Sequence, residues 1–139
     1  MIRVVLPLLM LCSAGCSDYP RDSADTSDRL QSGGTLRVGW VGSHDHSDKL
    51  RRLATTLSNK ARFEAGAAER LLAKLEQGEL DLVLGDFDRK SPWDKRVTFS
   101  QPVAARGEDV EARAATRNGE HRWAMTVDRT IAAQEEADP

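Results

Sequence analysis

The alternation of apolar and polar residues is clearest from residue 35 onward. Residues 35–41 read TLRVGWV, with Leu36, Val38 and Trp40 separated by Arg37 and Gly39. That period of two predicts a strand. Leu50, Leu53, Ala54 and Leu57 follow at helical spacing, and Ser47 or Asp48 suits the first turn as a cap. Residues 61–65 (ARFEA) predict a short strand with Phe63 facing inward. Residues 67–77 predict a second helix, with Ala68, Leu71, Leu72 and Leu75 as its stripe and Gly78 placed for a left-handed C-terminal cap. Residues 80–84 (LDLVL) form an apolar run ended by Gly85, as in a buried parallel strand. The order β-α-β-α-β predicts an α/β fold: a small parallel sheet with helices on both faces.

Beyond Gly85 the pattern weakens. Residues 86–96 predict a charged loop containing Ser91-Pro92-Trp93. Residues 97–103 read as extended, with Pro102 stopping regular pairing. In residues 104–117, Val110, Ala112 and Ala114 alternate as in a strand, and Asn118-Gly119 is a turn signal. Residues 120–134 predict a closing helix with Trp123, Val127 and Ile131 on one face, and residues 135–139 a frayed tail.

The N-terminal part has a different character. Arg3 precedes an apolar run over residues 4–11, and Ser13, Ala14 and Gly15 lead into Cys16. This is the order of a secretory signal, with a run far below the roughly 20 residues that span a bilayer. The segment resembles the lipobox of bacterial lipoproteins, with Ser13 where that motif prefers Leu. The resemblance implies removal of residues 1–15 and acylation of Cys16, which would hold the protein on a membrane surface. An ordinary secreted protein cut near Ala14 or Gly15 is the alternative. Ser17 after the cysteine is similar to the outer-membrane sorting pattern of Gram-negative lipoproteins. Residues 16–34 are almost wholly polar, apart from Tyr19 and Leu30, and predict a flexible tether. Residues 35–134 would then be the folded lobe.

Composition narrows the function. The 139 residues carry 20 Lys and Arg against 22 Asp and Glu, so no basic excess points to nucleic acid. Of the two cysteines, Cys12 falls in the expected signal and Cys16 carries the expected lipid, leaving no disulfide or thiol site. No Gly-x-Ser-x-Gly elbow and no Walker loop occurs, and no catalytic residue is assigned. Glu79 and Asp81 share one strand face but sit at the start of their strand.

Residues 75–103, LEQGELDLVLGDFDRKSPWDKRVTFSQPV, resemble a stretch of family 3 bacterial extracellular solute-binding proteins, the substrate-binding type of ABC transporters. Gly78, Asp81, Gly85, Pro92, Phe99, Ser100 and Pro102 fall on matching positions, and GGTLRVGW is similar to that family's first strand. The resemblance implies one lobe of a type II periplasmic binding protein, with solute beyond the carboxyl ends of the strands, here residues 41–44 and 85–89. Gly85 is expected to let the backbone turn sharply there.

Three departures stand out. The link over residues 42–47 is shorter than the family's. Trp93 or Asp94 stands where the family has a carboxylate-binding Arg, whose bidentate fork neither replaces. The chain after Pro102 is too short for a second lobe, and residues 119–132 are similar to the family's returning C-terminal helix. A lone lobe encloses only one side of a ligand, so a partner or a second copy would supply the other wall.

Candidate ligand-binding residues are therefore Trp40, Ser43, Asp86, Asp88, Arg89 and Trp93, with Trp40 equally suited to the core and Trp93 to a surface anchor. His44, Asp45, His46 and Asp48 are of metal-ligand type but read as a solvated, helix-capping loop; no metal and no cofactor is assigned. The expected function is a lipid-anchored protein on the periplasmic side of a bacterial membrane. It presents or senses a small polar solute, an amino acid or organic ion, for a transporter permease or sensor partner. The alternative is a non-catalytic interaction module that kept the fold and lost the ligand.

Overall fold

The computed structural model describes residues 21–42 and 48–138; Cys16, Ser43, His44, Asp45 and His46 lie outside them. Along the chain come α1 (Thr26–Gln31), β1 (Leu36–Val41), α2 (Asp48–Leu57), β2 (Ala61–Gly66), α3 (Ala68–Glu76) and β3 (Leu82–Asp88). A 3-10 turn (Pro92–Lys95), β4 (Val97–Phe99), β5 (Ala104–Ala105), β6 (Val110–Arg117) and α4 (His121–Ala137) complete it. The strands run β2-β1-β3-β6-β4, with β5 also on β6. Strands β2, β1 and β3 are parallel. Strand β6 is antiparallel to β3 and to β4. The expected parallel sheet is thus only partly parallel, because β6 returns between β3 and β4.

Period-two alternation distributes the side chains over two cores. Leu36, Val38, Trp40, Leu82, Leu84, Ala112 and Ala114 face Leu50, Leu53 and Ala54 of α2 and Trp123, Val127 and Ile131 of α4. Val83, Phe87 and Ala115 face Leu71, Leu72 and Leu75 of α3 on the other side. Helices therefore cover both faces, as expected. Truncating one of these fully buried leucines to Ala would cost about 2–5 kcal/mol. The α3 stripe ends where the sequence predicts: Gly78 has φ +80° and its N–H donates to the Leu75 carbonyl at 3.0 Å. A side chain there would be strained.

Several expectations change. Phe63 is 48% exposed, because β2 is an edge strand whose first-face row is incompletely covered. Strand β3 continues through Asp86 and Asp88, which the sequence places in a loop; β6 pairs with them residue by residue. Gly85 therefore lies inside a strand, not at a turn. A Cβ on it would come 2.5 Å from the Val41 Cβ, so its role is the close approach of β1 to β3. Helix α4 runs to Ala137, through most of the expected frayed tail.

The largest change concerns residues 22–33, expected to belong to the tether. They are folded onto the end of the sheet where β1 and β3 begin, hereafter the basal end. Glu120 accepts from the Ala24 N–H at 2.5 Å, the Thr26 N–H at 3.3 Å, Ser23 Oγ at 3.3 Å and Arg117 at 2.8 Å. Asp22 accepts from the Trp123 N–H at 2.7 Å and the Ser27 N–H at 3.0 Å. Asp81 binds Arg29 at 2.5 Å and Arg37 at 2.8 Å, and its carbonyl accepts from Trp123 Nε1 at 2.9 Å. All three carboxylates are buried. Burial alone would raise their pKa values. The Arg117, Thr26 and Ala24 bonds on Glu120, the Ser27 and Trp123 bonds on Asp22, and the Arg37 and Arg29 bonds on Asp81 outweigh it and hold each below its ordinary value.

Candidate functional site

The opposite end, where β1 and β3 finish and β6 begins, is the upper end. Asp86 pairs with Ala112 and Asp88 with Val110. Trp40 pairs with Leu84, so Asp86 lies one row above it on the same face of the sheet. Asp86 is half-buried, with Arg106 Nε at 3.7 Å from its carboxylate. Asp88 and Arg89 are exposed at the strand end.

On the other face, Arg89 Nε lies 2.8 Å from Glu111, and Arg113 Nε donates to the second oxygen of Glu111 at 2.7 Å. The Arg113 bond, opposed by burial and aided by the charges of both arginines, lowers the Glu111 pKa. Arg106, Glu111 and Arg113 were not singled out from sequence. Glu111 and Arg113 stand two apart in an alternating run, which already puts them on one strand face; the register that carries them to Asp86–Arg89 is visible only in the fold.

Trp40 is 5% exposed and belongs to the first core. Its edge meets Phe63 with ring centroids 6.2 Å apart, and the Arg51 guanidinium lies 5.9 Å from its ring. Trp40, Arg51, Phe63 and Ala65 line a cavity of about 220 Å³. A second cavity of about 340 Å³ opens between the start of α2 and the end of α4, beside Lys49, Arg52 and Asp138.

Trp93 does not stand free as an interface anchor. Ser91 Oγ accepts the Trp93 N–H at 3.3 Å and shapes the 3-10 turn, which folds the half-buried ring onto the second core. Arg96, held by Glu76, lies 4.3 Å over the ring. Trp93 is therefore separated from the Asp86–Arg89 group in role: it covers hydrophobic side chains. Among the described residues no group of three or more His, Cys, Asp or Glu could hold a metal ion.

No protein-family model matches the chain, and no curated protein matches it. Among solved structures, the arginine-bound form of domain 1 from TmArgBP superposes with a TM-score of 0.63 at 16% identity, covering 76% of this chain and 98% of that one. An arginine-bound point mutant of the same domain gives 0.64 at 16%, covering 78% and 98%. At that identity the similarity establishes the fold. The chain has the mixed α/β architecture of one domain of that protein, so the resemblance read from residues 75–103 holds at the level of fold.

Proposed function

We propose that this chain is a solute-binding lobe that takes a small polar solute at the upper end. The observation that carries the reading is the match to nearly the whole of an arginine-bound domain. In that structure, a domain of this architecture is found with arginine bound. One face of the upper end offers Asp86, Asp88 and Arg106, charges of both signs that suit the ammonium and carboxylate of an amino acid, while Glu111, Arg89 and Arg113 form a second charged group on the other face. The reading includes export, acylation of Cys16 and residence on the periplasmic side of a bacterial membrane, where the lobe serves a transporter or sensor. It is a binding role without catalysis.

A thermal-shift screen over arginine, other amino acids, small organic ions and divalent metals tests it. A true solute raises the melting temperature by mass action, by about 2.7 kcal/mol of stabilisation at a hundredfold excess over Kd. The half-exposed Phe63 beside Trp40 favours one other reading, an interaction module. Capture of a membrane protein through that notch, with no shift from any solute, would establish the module and sink the solute reading.

A further inference from the structure

The basal bonds determine where the chain enters the fold, and that decides how an anchored lobe can stand on a bilayer. The Arg21 carbonyl accepts the His121 N–H at 3.1 Å, and Asp22 bridges to Glu120. Strand β6 runs from the upper end to the basal end, and α4 starts immediately after it. Arg21 is therefore pinned at the basal end. Without these bonds a polar segment would run free to residue 34 and leave the lobe loosely hung.

We infer that the bonds of Asp22 and Glu120 shorten the leash so far that the lobe stands basal end down on the lipid surface, with its solute end directed away. The inference rests on the proposed acylation of Cys16. Five residue steps separate Cys16 from Arg21, which span at most about 18 Å. Helix α4 has 17 residues and lifts the upper end about 25 Å above the latch. The leash is shorter than the lobe is tall, so the lobe can tilt but cannot invert. The partner surface of the basal end is thus the bilayer itself. A transporter or sensor that meets the solute end must do so through a part that rises into the water.

The full lipid-bearing chain, purified from membranes and placed in phosphatidylethanolamine–phosphatidylglycerol vesicles with nitroxide-labelled headgroups, tests this. An introduced cysteine is then the sole free thiol and carries a fluorophore. Asn59→Cys probes the basal end beside Lys60, whose carbonyl accepts from Leu36. Glu108→Cys probes the turn between β5 and β6 at the upper end. The expected result is several-fold stronger quenching at the basal probe. An insert of about twenty Gly and Ser residues after Ser17 adds a coil of roughly 25 Å without touching the fold and should abolish the difference. Equal quenching at the two probes, stronger quenching above, or a bias that survives the insert overturns the inference. Cys16→Ser separates the two ideas. If that variant stays on vesicles as the native chain does, lipid anchoring fails and the orientation falls with it. If it is released while the probes quench equally in the native chain, the anchor stands and only the orientation is wrong.

Discussion

The two ends of the sheet use charge in opposite ways. At the basal end, Asp22, Asp81 and Glu120 are buried and each binds several donors drawn from segments distant in sequence. At the upper end, Asp88 and Arg89 are exposed and Asp86 is half-buried beside Arg106, while one carboxylate, Glu111, is buried between Arg89 and Arg113. Buried carboxylates with full sets of donors hold a chain in place, whereas exposed charges contribute little to stability. One end is built to hold the molecule together and the other is open to recognition.

The sharpest break in that comparison is Glu120→Ala. It leaves the Ala24 and Thr26 N–H groups and Arg117 without their acceptor. The expected loss is about 3 kcal/mol in urea unfolding. An unchanged midpoint would refute the structural role of the basal end.

Acid acts next. The folded pKa values of Asp22, Asp81 and Glu120 lie below ordinary values. Their stabilisation is complete above the unfolded values near pH 4 and is lost as pH falls through the folded ones. Melting temperature should drop steeply below about pH 4, and Glu120→Gln should flatten that drop.

Changes at the upper end are smaller in stability and larger in binding. Asp88→Asn should leave stability within about 0.5 kcal/mol while reducing or removing any solute-induced thermal shift. The smallest effect is expected for Phe63→Ser, again within about 0.5 kcal/mol, because the ring is half in solvent; a larger loss would mean that the notch beside Trp40 supports the core.

What the residues revealed in advance follows the same division. Leu36, Val38 and Trp40, and the stripes of α2 and α3, were legible because apolar side chains at a fixed period bury themselves against one another. Residues 22–31 were not, because Asp22, Thr26 and Ser27 are buried through hydrogen bonds that leave no periodic trace. Asp86 and Asp88 looked like loop residues by polarity; their pairing with Ala112 and Val110 makes them strand. Of the candidate site, Asp86, Asp88 and Arg89 do share one end of the sheet, while Trp93 is half-buried against the second core, a contact that a Trp beside Pro in a polar run does not announce. The residues beside them, Arg106 from the turn after β5 and Glu111 and Arg113 from β6, come from a distant part of the chain whose register no local pattern encodes.

Gly85 carries one more consequence. Its missing side chain and the presence of Val41 occupy the same space, with a Cβ there meeting the Val41 Cβ at 2.5 Å and the Val41 carbonyl at 3.2 Å. The two positions are therefore epistatic in an evolving gene. Gly85→Ala clashes with the chain while Val41 stands, and Val41→Gly would ease it by removing the Cβ and Cγ2 contacts at 2.5 and 3.3 Å, leaving only the carbonyl at 3.2 Å. A mutational scan read one position at a time would record Gly85 as intolerant, when what it measures is the order in which two substitutions must arrive.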